Sequence, residues 1–85
     1  MTHETFERAR GIIARYLNVS PESVGPDIAL ADLGLDSLGA LEVVFEIEEA
    51  FHISIPDERV AQFTTLRVAC DAIEALRRDA SPSAS

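Results

Sequence analysis

Apolar positions recur at helical spacing in three long stretches of the chain. From Thr5 to Leu17, the residues Phe6, Ala9, Ile13, Tyr16 and Leu17 share one side, with Glu7, Arg8, Arg10 and Arg15 towards the others, which predicts an amphipathic helix. Gly11 weakens that helix by about 1 kcal/mol relative to Ala without overturning it. Asn18 is the predicted stop, and Ser20-Pro21-Glu22 reads as a short helical turn with Ser20 as cap and Pro21 in its first turn. A second helix starts at Ser37 and runs to about Phe51, with Ala40, Val43, Val44, Ile47 and Phe51 on its core face. After Thr64-Thr65 as cap, a last helix runs from Leu66 to about Arg77 with Leu66, Ala69, Cys70, Ile73 and Leu76 inward, and Arg77 and Arg78 at the end where the dipole favours cations. A short helical piece lies near Pro56 to Ala61 or Gln62, with Asp57 and Glu58 in its first turn. Between Gly25-Pro26 and Gly34 a long loop carries apolar anchors at Ile28, Leu30, Leu33 and Leu35 that pin it across the bundle. The fold expected is all-α, a small bundle of three main helices plus one short helix.

The helix after Ser37 has a second apolar stripe. Leu38, Leu41 and Phe45 fall together roughly opposite the core face, flanked by Glu42, Glu48 and Glu49. Two readings stand. Either the Gly25–Leu35 loop or the helix end covers the stripe, or it is a docking surface with an apolar centre and an acidic rim, suited to basic partners.

Composition narrows the classes. Eighty-five residues make one domain, and 47% hydrophobic residues suffice for a small core. The domain is expected over residues 1–78, with the Ser/Ala-rich tail 79–85 (DASPSAS) disordered. A single Cys forms no internal disulfide, which suits a reducing cytoplasm. The first residues hold no apolar signal core and no apolar run approaches spanning length, so the expectation is a cytoplasmic protein without membrane insertion. Net charge is −8, with seven arginines and no lysine against 15 acidic residues. Such a surface repels nucleic acid and anionic lipid and favours basic protein partners.

Catalytic constellations are missing. A Ser37 nucleophile needs a base within reach, and the histidines are His3 near the N-terminus and His52 more than three turns along the helix. One Cys and two scattered His give no zinc spacing, so no metal is expected. Counted from Asp32, a calcium loop would need an acid at Gly34, a glycine at Ser37 and a closing acid at Val43, and it fails at all three. Cys70 lies on the inward face of its helix as a small core residue. Ser37, by contrast, stands where a loop meets a helix N-terminus. There, backbone N–H groups and the positive dipole end favour an attached phosphate. The helix behind it carries Glu42, Glu46, Glu48 and Glu49, with no arginine or lysine between Asp36 and Glu58. Taken alone, Asp-Ser-Leu is too short to carry that meaning and Ser37 reads better as an ordinary N-cap, a part Asp36 also suits.

Read together, Leu33-Gly34-Leu35-Asp36-Ser37-Leu38, Leu41-Glu42-Val43-Val44, Glu46-Ile47-Glu48-Glu49-Ala50-Phe51, Ile53-Ser54-Ile55-Pro56-Asp57-Glu58 and Thr64-Thr65-Leu66 resemble the acyl carrier proteins, collinearly over roughly Phe6 to Leu76. The resemblance implies a non-catalytic carrier of the discrete type, serving fatty-acid, polyketide or specialised-lipid enzymes. Ser37 would receive 4′-phosphopantetheine from coenzyme A through a separate magnesium-using transferase, and acyl groups would ride on the prosthetic thiol as thioesters. It implies that Asp36, Leu38, Leu41, Glu42, Phe45, Glu48 and Glu49 meet the phosphopantetheinyl transferase and acyl-processing enzymes through their basic docking patches. It also implies that Val43, Ile47 and Ile55 help line the space sheltering the acyl chain. A monomer is expected, because successive partners need that face free. Two positions depart from the pattern: Gly39, where carriers of primary fatty-acid synthesis often have an acid, and Phe45, often Met. An aminoacyl or D-alanyl carrier shares the serine and the fold; a small acidic helical adaptor, with Ser37 only a cap, is a reading of another class.

Overall fold

A computed structural model describes residues 3–80. It is helical throughout: α1 spans His3–Leu17, α2 Ser37–Phe51, α3 Asp57–Val60 and α4 Leu66–Ala80, with 3₁₀ turns at Pro21–Ser23 and Leu30–Leu33. The all-α bundle of three long helices and one short one is the fold expected. α1 packs against α4 and α2, and α2 against α3. Ala9, Ile13, Ile47, Leu66, Ala69, Cys70 and Ile73 are fully enclosed where the three long helices meet. Burial of these stripes, rather than helix propensity, holds elements of this length in place.

The helix stops are local. Asn18 adopts a left-handed conformation at φ 61°, so that the N–H of Val19 reaches back to the carbonyl of Ala14 at 3.0 Å. His52 does the same at φ 57°, and the N–H of Ile53 returns to the carbonyl of Glu48 at 3.2 Å. Both are left-handed helix ends made without glycine, a conformation Asn accepts readily and His less so. Thr65 caps α4, its hydroxyl accepting the N–H of Val68 at 3.2 Å. The cap expected at Ser20 makes no side-chain bond to the backbone; its hydroxyl pairs with that of Ser23 at 3.2 Å.

The long loop is pinned by three of its four expected apolar anchors and by polar contacts besides. Leu30 is buried and Leu33 and Leu35 pack against the core, but Ile28 is exposed. The rest is polar. The N–H of Leu30 donates to the carbonyl of Thr64 at 2.9 Å, and Ala29 and Thr65 form an isolated antiparallel bridge. The N–H of Arg67 donates to the carbonyl of Pro26 at 2.9 Å, while its guanidinium holds both oxygens of Asp27 at 2.7 and 3.0 Å. α4 runs three residues past Arg77 and takes in the first two positions of the predicted tail; residues 81–85 of that tail lie outside the described residues.

Candidate functional site

The site forms where the Leu30–Leu33 turn, the first turn of α2 and α3 come together. Gly34 makes the approach possible: at φ 102° it ends the 3₁₀ turn in a conformation that side chains rarely tolerate. Asp36, not Ser37, is the N-cap of α2, its carboxylate accepting the N–H of Gly39 at 2.7 Å. Ser37 is thereby left as the first helical residue, exposed, with no capping duty. The N–H groups of a first turn have no intrahelical acceptor, and the dipole is positive there.

A groove of about 580 Å³ opens beside that hydroxyl. Leu30, Leu35, Ala40, Val60 and Phe63 give it apolar walls, and Asp36, Ser37, Leu41, Asp57 and Thr64 stand among its lining. Small side chains at Ala29, Ala31, Ala40 and Ala61 leave the space. The volume lies within the roughly 300–1,000 Å³ usual for small-molecule sites. Val43, Ile47 and Ile55, expected to shelter the acyl chain, are not among the residues lining this groove; all three are buried in the hydrophobic core. The helical spacing of Val43 and Ile47 turned them inward, and Ile55, in the α2–α3 connection, is buried too; the groove opens on the Ala40 side, lined also by residues of the loop and α3.

The second stripe of α2 is uncovered. Leu38, Leu41 and Phe45 are 65%, 43% and 64% exposed, so neither the loop nor the helix end hides them. Asp36, Glu42 and Glu49 are exposed around them. Glu48 differs from its expected place on this rim. It is half-buried, and its carboxylate accepts the N–H of Ile55 at 2.7 Å, tying the α2–α3 connection to the helix. Glu46 pairs with Arg15 at 3.0 Å.

Tyr16, counted among the core positions of α1, lies instead over Gly39 at the edge of this surface. Partial burial pushes its phenol above the usual tyrosine range, and the charges of Glu42 and Asp36 add to the effect. Cys70 is fully buried, which drives its thiol up to about 11, with Glu74 and Asp71 contributing. A thiol so placed is a core residue and a poor nucleophile. Among the described residues no cluster of three or more His, Cys, Asp or Glu could hold a metal ion, and no helix is long and apolar enough to cross a membrane.

An exposed serine hydroxyl at a helix N-terminus, on the lip of an apolar groove, defines a domain suited to carry a covalently attached phosphate-linked group. The residues fit phosphopantetheine on that count: a hydroxyl that would take it, the free N–H groups of a first helical turn that would hold its phosphate, and a groove that would receive its arm. Comparison with known proteins agrees. The family model for the phosphopantetheine attachment site matches residues 7–73. An acyl carrier protein of Guillardia theta is 45% identical over 71 residues, covering 82% of this chain and 88% of that protein. Among solved structures, the oxytetracycline acyl carrier protein superposes with a TM-score of 0.76 at 29% identity, over 100% of this chain and 94% of the other. The hexanoyl form of the carrier from the actinorhodin polyketide synthase of Streptomyces coelicolor gives 0.74 at 27%, over 95% of each chain. The mupirocin didomain carrier shares the fold, with a TM-score of 0.81 at 19% identity; this chain covers 46% of its length. The chain belongs to the acyl carrier protein family, whose prosthetic group is phosphopantetheine and whose members work with acyl-processing enzymes.

Proposed function

We propose that Ser37 is the attachment point, and that the protein presents acyl groups to successive enzymes without catalysing their conversion. The observation that carries this is the exposed Ser37 hydroxyl, relieved of capping by Asp36 and placed on the lip of the groove. When attached, the group supplies a terminal thiol for acyl cargo. The chain's own residues do the rest. The first turn of α2 would hold the phosphate through its free N–H groups, and Leu30, Leu35, Val60 and Phe63 would offer the arm and its cargo an apolar wall that excludes water.

Leu38, Leu41 and Phe45, rimmed by Asp36, Glu42 and Glu49, form the surface that meets basic patches on the transferase and on fatty-acid, polyketide or specialised-lipid enzymes. An apolar stripe left exposed on a chain of net charge −8 supports that reading, as does the similarity to acyl carrier proteins, one of them from a polyketide synthase. The working form is a cytoplasmic monomer, since each partner needs the same face.

The test is an intact mass after incubation with coenzyme A, magnesium and a broad-specificity phosphopantetheinyl transferase. Wild type gains one phosphopantetheine and Ser37→Ala gains none. Modification of the Ala variant, or of neither protein, would defeat the assignment.

A further inference from the structure

Position 39 interrupts a row of acids along one edge of α2. Asp36, Gly39, Glu42 and Glu46 follow one another at helical spacing, three carboxylates and one residue without a side chain. The gap is filled from another helix. A Cβ on Gly39 would stand 2.9 Å from Cε2 of Tyr16, 3.0 Å from its hydroxyl oxygen and 3.1 Å from Oδ1 of Asp36. The tyrosine ring therefore occupies the place that a side chain at 39 would need, and Gly39 is buried while Leu38 next to it is exposed. The preceding residue of α1, Arg15, reaches Glu46. The end of α1 thus overlays the edge of α2 that borders Glu42, on the side away from the groove.

Tyr16 remains 37% exposed, although a tyrosine at this spacing on α1 is predicted to turn inward. It offers an aromatic ring and a neutral hydroxyl beside the carboxylates of Asp36 and Glu42, whose charges both act on it. That combination suits a guanidinium, which stacks on a ring while pairing with a carboxylate; an ammonium gains less from it.

We infer that Tyr16 is a specificity-determining residue of the docking surface, seated there by the bare backbone of Gly39, where it receives an arginine of the partner enzyme's basic patch. The recognition surface is then a composite of α1 and α2. Its selectivity depends on a contact between helices as well as on the charges of one helix. This rests on the docking reading of Leu38, Leu41 and Phe45, and the experiment separates the two.

The probe is the transferase reaction with coenzyme A. The kcat and the KM for the carrier are measured by intact mass for wild type, Tyr16→Ala, Tyr16→Phe, Gly39→Ala and Leu41→Glu, each with a circular dichroism melt. Tyr16→Ala raises KM about five- to tenfold at unchanged kcat, and Tyr16→Phe recovers most of the loss. Gly39→Ala, which pushes the ring from its seat, raises KM in the same direction with Tyr16 still present, and does so even where Tyr16→Ala is too unstable to assay. Its effect disappears when Gly39→Ala is combined with Tyr16→Ala in one further variant, as expected of two residues acting through one contact. An unchanged KM in Tyr16→Ala and Gly39→Ala beside a raised KM in Leu41→Glu overturns the inference and leaves the docking surface standing. An unchanged KM in all of them overturns both. A lowered melt with an unchanged KM makes the Tyr16–Gly39 contact internal packing, which also overturns it.

Discussion

The two ends of α2 are built in opposite ways. At the C-terminal end, Phe51 is buried with two arginines over its ring, the guanidinium carbons of Arg8 and Arg77 at 4.7 and 5.4 Å from the ring centroid. Arg8 also donates to the carbonyl of Ala50 at 2.7 Å, where the negative end of the dipole favours a cation. Glu48 adds a third fastening through the N–H of Ile55. At the N-terminal end the cap is one carboxylate, Asp36, and beyond it Ser37, Leu38 and Leu41 face solvent. One end is clamped by residues from α1, α4 and the following loop; the other is capped and left accessible. A small domain has little stability to spare. Concentrating its fastenings at one end leaves the other end free to expose a hydroxyl and an apolar stripe.

The most damaging change to the clamped end is Phe51→Ala, which removes a core ring together with the seat of both arginines. It is expected to lower unfolding free energy by about 3–5 kcal/mol in urea titrations. A loss below about 1 kcal/mol would show that this end is not where stability resides. At the open end the expected damage is functional. Leu41→Glu and Glu42→Lys should raise KM for phosphopantetheine transfer about tenfold or more while leaving stability within about 0.5 kcal/mol, as substitutions of exposed residues usually do. Normal kinetics in both would remove the contrast between the ends.

Smaller effects sharpen the comparison. Asp36→Ala deletes the cap and should cost about 1 kcal/mol in the same titrations, with Asp36→Asn retaining most of it. Smallest is the exposed Asp27–Arg67 pair between the long loop and α4. Hydrogen bonding to Arg67 holds the Asp27 carboxyl below its ordinary 3.8. A carboxyl lowered on folding contributes stability above its unfolded value and loses it as pH falls through the folded one. The melting difference between wild type and Asp27→Asn should therefore be present at neutral pH and shrink as pH drops below 3.8. A difference that grows on acidification would contradict that pairing.

Much of this was legible in the chain because it is written in short-range periodicity. The three long helices, the inward stripe of α2 and the burial of Cys70 follow from residues three and four apart, whose relative directions a helix dictates. The exposed stripe of Leu38, Leu41 and Phe45 was legible in the same way, but only as a face without an assigned neighbour. Whether something covers it depends on where the Gly25–Leu35 loop lies, and that is a matter of contacts distant in sequence.

What the sequence determined by itself was the set of helices, the face each turns inward and the acidic character around Ser37, since all of these are local. Tertiary structure decided what fills the space between helices. It placed Asp36 rather than Ser37 as the cap, put the groove beside Ala40 instead of Val43, Ile47 and Ile55, drew Glu48 into the α2–α3 connection and laid Tyr16 over Gly39. Each depends on which backbone approaches which, and a glycine or alanine that permits such an approach looks in the sequence like any other small residue. Periodicity gives a side chain's direction, whereas packing determines what stands there to meet it.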